Sequence, residues 1–210
     1  MKNLHSTAKT TALIQEAERH LSQSDAIMAQ LVATHGACSF AHRADEPFST
    51  LVRSIISQQL SAKVANTIES RITALVPAPF DPERMLAVPI ETLREAGLSS
   101  RKATYIHALA ERLLSGRLDF DELVALSDEA VITALTDLPG IGRWTAEMFL
   151  IFGLKRMDVL ALGDSGLCRS ARMLYPDVQQ DSILEAVSEP WRPYRSVASW
   201  YLWKHLDVVG

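Results

Sequence analysis

The chain has 210 residues, 48% of them hydrophobic, enough to bury a substantial core as one large domain or two small ones without metals or crosslinks. A net charge of −4 argues against a protein that coats nucleic acid by charge alone, although it leaves room for a few local phosphate contacts. The two cysteines, Cys38 and Cys168, follow no metal-ligand spacing and are too few for a disulfide scaffold, which points to a reducing compartment.

The N-terminal "MKNLHSTAKTTALIQEAERH" lacks a signal-type apolar core, and no later segment approaches the roughly 18 apolar residues of a membrane span. The expectation is a cytoplasmic protein with no membrane attachment. "SDAIMAQLVATHG" opens on the cap candidates Ser24 and Asp25 and closes on Gly36. In "SAKVANTIESRITALV", Val64, Ile68, Ile72 and Leu75 fall on one face, the spacing of an amphipathic helix. "DPERMLAV" pairs Asp81 as cap with Pro82 at the first helical position, and "SSRKATYIHALAERLLSG" runs from a serine cap to Gly116. Further caps fit at Asp119, Ser127 and Asp181. No segment carries a convincing period-two strand pattern, so the fold class is all-α, about ten short helices joined by tight turns. The basic residues of "HRADEPFSTLVR", "SSRKATY" and "WRPYRS" are interspersed with acids and apolar residues and read, on their own, as solvated faces. His5, His20, His35, His42, His107 and His205 show no metal-ligand spacing, and neither a nucleophile pattern nor a phosphate-binding loop of P-loop type is present.

"LPGIGRWTA", residues 138–146, lies between the amphipathic "SDEAVITALTD" and the strongly apolar "TAEMFLIFGL", so it is a hairpin between two helices. Pro139 ends the first helix. Gly140 and Gly142 can take positive φ and leave their amides open to close approach beside the next helix N-terminus, where an anion is favoured. Two readings stay open on these residues alone: a phosphate-binding turn, or a tight connection and nothing more.

The longer stretch "LPGIGRWTAEMFLIFGLKRMDVLALGDSGLCRSARML" closely resembles the helix-hairpin-helix DNA glycosylases. "PFSTLVRSIISQQLSAKVA" (47–65), "GLSSRKATYIHALA" (97–110) and "WRPYRSVASWYLWKHL" (191–206) are similar to the corresponding segments of its bacterial alkylation-repair branch, the DNA-3-methyladenine glycosylase II family, in the expected order. The resemblance implies a helix-hairpin-helix glycosylase core over 47–210, with the active site in a cleft between two lobes. Within it, two helical subdomains interleave as the N- and C-terminal helices pack together. Residues 1–46 form an N-terminal helical segment in place of the β-rich domain that some members carry.

It further implies that a damaged nucleotide is flipped out of duplex DNA and its base cut from the sugar, with one aspartate at the position of Asp164 in "ALGDSGL". A carboxylate beside C1′ stabilises the oxocarbenium-like charge and orients or deprotonates the attacking water. On spacing alone Asp164 also reads as the cap of a helix beginning at Ser165, and Asp158 is the nearest rival carboxylate, expected to be structural. The hairpin would grip a phosphate through Gly140, Ile141, Gly142, Arg143 and Thr145. Main-chain carbonyls of Thr136, Leu138 and Ile141 would hold a monovalent cation, Na or K, there. Trp144, Met148 and Trp203 would line a pocket for cationic alkylated purines, with Trp200 in the core. Met148 stands where an aromatic occurs elsewhere in the family. Gln59 and Leu60 occupy the position of the wedge that fills the vacated stack. Gln58 and Gln59 also fit plain caps of the flanking helices.

Members that also cleave the strand carry a lysine where this chain has Trp144, and the four-cysteine iron-sulfur loop of the endonuclease-III branch needs more cysteines than the two present. The resemblance therefore implies a monofunctional enzyme, a monomer acting on double-stranded DNA with alkylated bases, with no required cofactor and no iron-sulfur cluster. Two alternatives remain at this stage: a non-catalytic DNA-binding module, and a glycosylase/lyase working through Lys63 or Lys155.

Overall fold

The computed structural model describes residues 2–40 and 46–209; His42 lies outside the described residues. Among the described residues there are thirteen α-helices and no strand. In chain order they are α1 (Lys2–Ser24), α2 (Ala26–His35), α3 (Pro47–Ser57), α4 (Ala62–Leu75), α5 (Pro82–Ala87), α6 (Ile90–Glu95), α7 (Ser100–Leu114), α8 (Phe120–Val124), α9 (Asp128–Thr136), α10 (Arg143–Met148), α11 (Ser165–Leu174), α12 (Ile183–Val187) and α13 (Arg195–Val209). A π-helical turn, Phe149–Gly153, continues α10, and a 3₁₀ turn, Glu189–Trp191, follows α12. The number passes ten because several helices are only five or six residues long, among them α6, whose N-cap Pro89 offers no side-chain cap to mark it.

Local chemistry starts most of these helices where capping residues stand. Asp25, Ser61, Asp81, Ser99, Asp119 and Ser127 each accept a hydrogen bond from the first turn of the helix they precede. α12 departs from expectation: its N-cap is Ser182, not Asp181, and no side chain caps it. α4 departs too, since Val64 and Leu75 are exposed while Ala65, Ile68, Ile72 and Val76 are buried. That set also runs at helical spacing, rotated towards the interior, so the true core stripe includes a small residue that a scan for large apolar ones passes over.

The chain divides into two compact units, Met1–Ala44 with Lys155–Gly210, and Asp45–Leu154. In the second, α3 is the central element: Phe48, Leu51, Val52, Ile55 and Ile56 are buried, and the helix packs on α4, α7, α10 and the π-helical turn. α9 packs against α10 across the hairpin.

In the first unit, α13 packs on α1, α2 and α11. Half-buried carboxylates cross-link this unit. Asp25 caps α2 with Oδ1, which accepts from the amides of Ile27 and Met28, while Oδ2 accepts from Tyr175 Oη at 2.6 Å and Trp191 Nε1 at 2.9 Å. Glu18 Oε1 accepts from the Cys38 amide at 2.7 Å and Tyr201 Oη at 2.9 Å. Paired in this way, the half-buried carboxylates keep hydrogen-bond partners in place of the water they lose. The wholly buried tryptophan is Trp191; Trp200, expected in the core, is half-buried with its ring edge-on to Tyr201 at 4.9 Å.

Candidate active site

Asp164 precedes α11 with extended backbone, and its Oδ1 accepts from the Leu167 amide at 2.8 Å. The same oxygen accepts from Trp203 Nε1 at 3.2 Å, and only 7% of the residue is exposed. It is thus a helix cap and, at once, a buried carboxylate whose direction is fixed from two sides. Gly166 leaves it room: a Cβ there would stand 3.1 Å from Asp164 Oδ1 and 3.6 Å from Trp203 Cδ1. Cys168, one turn on, has its thiol pKa raised by burial and by the Asp164 charge. Asp158 is bound up elsewhere in this unit, accepting from Arg195 Nε at 2.6 Å and Arg192 Nη1 at 3.0 Å, a structural ion-pair cluster.

The hairpin belongs to the other unit. Leu138 O accepts from the Ile141 amide at 3.1 Å, closing the turn that Pro139 begins. Gly140 has φ of +80, and a Cβ there would run into the Tyr105 ring, so glycine is required twice over, by the backbone and by the neighbour. Gly142 differs from expectation: its φ is −94, and nothing lies within 4 Å of a built Cβ. It is the extended N-cap of α10 and offers no side-chain acceptor to the first turn, so what it contributes is open space. The Arg143 guanidinium is engaged by Glu129 through Nη1 and Nη2 and by Glu147 Oε1 at 3.1 Å, and these contacts raise its pKa. Thr145 is buried, with its hydroxyl turned to Gln58. Near the hairpin the donors proposed for a cation are neutral main-chain carbonyls, a set suited to a weakly demanding monovalent ion rather than a divalent one. Among the described residues, no group of three or more His, Cys, Asp or Glu side chains is arranged to hold a metal.

Trp144 is half-buried on α10, and Met148, one turn later, is 5% exposed. The expected pocket residues therefore divide, Trp144 and Met148 on the hairpin unit and Trp203 on the unit of Asp164. Gln59 and Leu60 are exposed at the turn after α3. Of the lysines considered for lyase chemistry, Lys63 is exposed on α4, and Lys155 Nζ sits 5.7 Å over the Phe40 ring.

Two residues near the hairpin escaped the sequence reading. Gln58 donates through Nε2 to Gly140 O at 2.9 Å and to Thr145 Oγ1 at 3.0 Å, where a simple cap was one expectation. Lys102 donates through Nζ to Ile56 O at 2.8 Å and Gln58 O at 2.7 Å, and burial lowers its pKa. Their partners lie tens of residues away, and no local pattern signals them. A depression of about 430 Å³ opens beside them, between Gln59, Ser99, Arg101, Tyr105 and Gly140.

A family model described as HhH-GPD superfamily base excision DNA repair protein matches residues 52–193. The chain belongs to that superfamily. The HhH-GPD span runs from α3 through the hairpin and past Asp164, and it ends before Trp203. DNA-3-methyladenine glycosylase 1 of Schizosaccharomyces pombe is 35% identical over 201 residues, covering 91% of this chain and 87% of the relative. The solved structure of the Schizosaccharomyces pombe 3-methyladenine DNA glycosylase in complex with abasic DNA matches with a TM-score of 0.80 over 91% of this chain and 97% of that one, at 35% identity. A DNA-3-methyladenine glycosidase from Bacillus halodurans matches with a TM-score of 0.65 at 42% identity, over 86% of this chain and 88% of that one. This HhH-GPD chain thus sits with the 3-methyladenine glycosylases of the superfamily, and its all-helical fold is theirs.

Proposed function

We propose that the protein is a monofunctional DNA glycosylase that hydrolyses the N-glycosidic bond of alkylated purines such as 3-methyladenine and 7-methylguanine in duplex DNA and leaves an abasic site. The observation that carries this reading is Asp164, a nearly buried carboxylate aimed by the Leu167 amide and the Trp203 indole in a chain so similar to 3-methyladenine glycosylases. Cationic bases are good leaving groups, so one carboxylate suffices: it stabilises positive charge at C1′ as the base departs and orients the water that replaces it. Each of the indoles expected at the pocket, Trp144 and Trp203, has a π face of the kind that attracts a cationic purine.

The hairpin grips a backbone phosphate through its main-chain amides, because Arg143 is committed to two carboxylates and Thr145 to Gln58. The carbonyls of Thr136, Leu138 and Ile141 would hold Na or K and strengthen that anion site by neutralising their mutual repulsion. Gln59 and Leu60 form the wedge that fills the stack. The protein works as a monomer without a redox cofactor, and with tryptophan at position 144 it forms no Schiff base. Release of free base from methylated DNA, identified by chromatography, tests the reading directly. DNA binding without any base release would reduce the protein to a binding module.

A further inference from the structure

The turn that carries Gln59 and Leu60 is closed by one main-chain hydrogen bond of its own, from the Leu60 amide to Ser57 O at 3.1 Å. Both side chains are exposed, Leu60 to 39%, and Gln59 has φ of +57, a left-handed conformation that a non-glycine residue keeps only when its surroundings impose it. The residues on its N-terminal side supply that constraint. Lys102 Nζ reaches from α7 to the carbonyls of Ile56 and Gln58, placing an ammonium at the negative end of α3 immediately before the strained residue. The Gln58 amide reaches the other way, to Gly140 O and Thr145 Oγ1. The hairpin end of this connection is fixed independently, since Thr145 is buried and Gly140 is pressed against Tyr105, which stands one turn after Lys102 on the same helix. One helix, α7, therefore braces both the turn and the hairpin.

We propose that Gln58 and Lys102 are positioning residues that fix the Gln59–Leu60 tip in register with the hairpin. A strand gripped at the hairpin is then presented to the tip in the orientation that lets it enter the base stack. The proposal rests on the reading of the hairpin as the strand grip and of the tip as the wedge. It predicts a division of labour. Loss of either side chain frees the tip while leaving the grip intact, so recognition of a disrupted stack suffers and contact with ordinary duplex does not.

The test uses the full chain, with Gln58→Met and Lys102→Met, which keep side-chain bulk, and Thr145→Val, which removes one of the two Gln58 acceptors. Each is titrated with an undamaged duplex and with the same duplex containing a tetrahydrofuran abasic analogue beside 2-aminopurine, whose fluorescence reports unstacking. In Gln58→Met and Lys102→Met, affinity for the undamaged duplex should stay within about twofold, while preference for the abasic duplex and the fluorescence rise should fall about 5- to 30-fold; in Thr145→Val that preference should fall less. Retained preference would overturn the proposal. So would an equal loss on both duplexes, the mark of a merely structural role; thermal melting identifies any variant that fails to fold, and Thr145→Val, the mildest change, then decides. If the unvaried protein shows no abasic preference, the wedge reading falls and this proposal with it. If it shows that preference but releases no methylated base, the glycosylase reading fails while the variants still judge the tip.

Discussion

Trp203 Nε1 and the Leu167 amide share one oxygen of Asp164, so the proposed catalytic carboxylate is oriented by a helix terminus and an indole at the same time. Asparagine can accept both hydrogen bonds through its own Oδ1 and is itself a good N-cap. Asp164→Asn should therefore keep the fold and most DNA affinity while losing base excision by at least about a hundredfold, the scale of a lost electrostatic stabiliser. Asp164→Ala, which loses the cap as well, should be less stable than Asp164→Asn by about 1 kcal/mol in denaturant unfolding. Excision of 3-methyladenine by Asp164→Asn at near the original rate would reduce Asp164 to a cap.

The two hairpin glycines should respond differently to alanine. At Gly140 the added methyl meets the Tyr105 ring on a backbone with φ of +80, and a loss of about 2–4 kcal/mol in stability is expected. At Gly142 a Cβ meets open space, so the fold should tolerate alanine within about 0.5 kcal/mol. A larger side chain at Gly142 should weaken binding to damaged and undamaged duplexes alike, and log affinity should fall with log salt at a slope of about −2 to −4 for two to four phosphates. Loss confined to damaged DNA would contradict a phosphate role there.

On the proposed reading, Trp144 stands where members that also cleave the strand carry a lysine. Borohydride added during turnover should trap no protein–DNA adduct, and strand breaks should appear only after heat or alkali acts on the abasic product. Efficient trapping that disappears in Lys63→Ala or Lys155→Ala would instead establish lyase chemistry.

Burial pushes the Cys38 thiol up to about 12, with the Glu18 carboxylate adding to the effect. The thiolate is the reactive form, so Cys38 should resist iodoacetamide at about pH 8 in the native protein and react readily once unfolded. Mass spectrometry of the labelled peptides checks this. Rapid native labelling at Cys38 would mean that this part of the unit opens locally.

Burial, together with His205 and Lys204 nearby, lowers the pKa of His35 below its ordinary value. The unfolded chain then takes up this proton at higher pH than the folded one. Between the two values the unfolded state binds more protons, and stability must fall as pH drops through the ordinary histidine range. Denaturant unfolding from about pH 7 to about pH 5 should show that decline, and His35→Leu should flatten it. An unchanged slope would assign the decline to other groups.

Local chemistry made much of this molecule legible in its sequence. Asp25, Asp81, Ser99, Asp119 and Ser127 start helices because a short polar side chain satisfies amides two or three residues away, a relation confined to one turn. Pro139 and Gly140 mark the hairpin for the same reason, and the ordered blocks around them carried the family and pointed to Asp164. What the sequence left undecided depends on groups distant along the chain. The face of α4 that is buried was set by its neighbours, which rotated the stripe onto Ala65 and Val76 and left Val64 and Leu75 outside. The requirement for glycine at position 140 comes partly from Tyr105, and Gly142, alike in sequence, takes an ordinary φ. Gln58 reaches the hairpin, Asp25 holds Tyr175 and Trp191, and Trp203 fixes Asp164 only once the chain has folded. A hydrogen bond between side chains far apart in sequence has no periodicity to announce it, because its geometry exists only after the helices have packed.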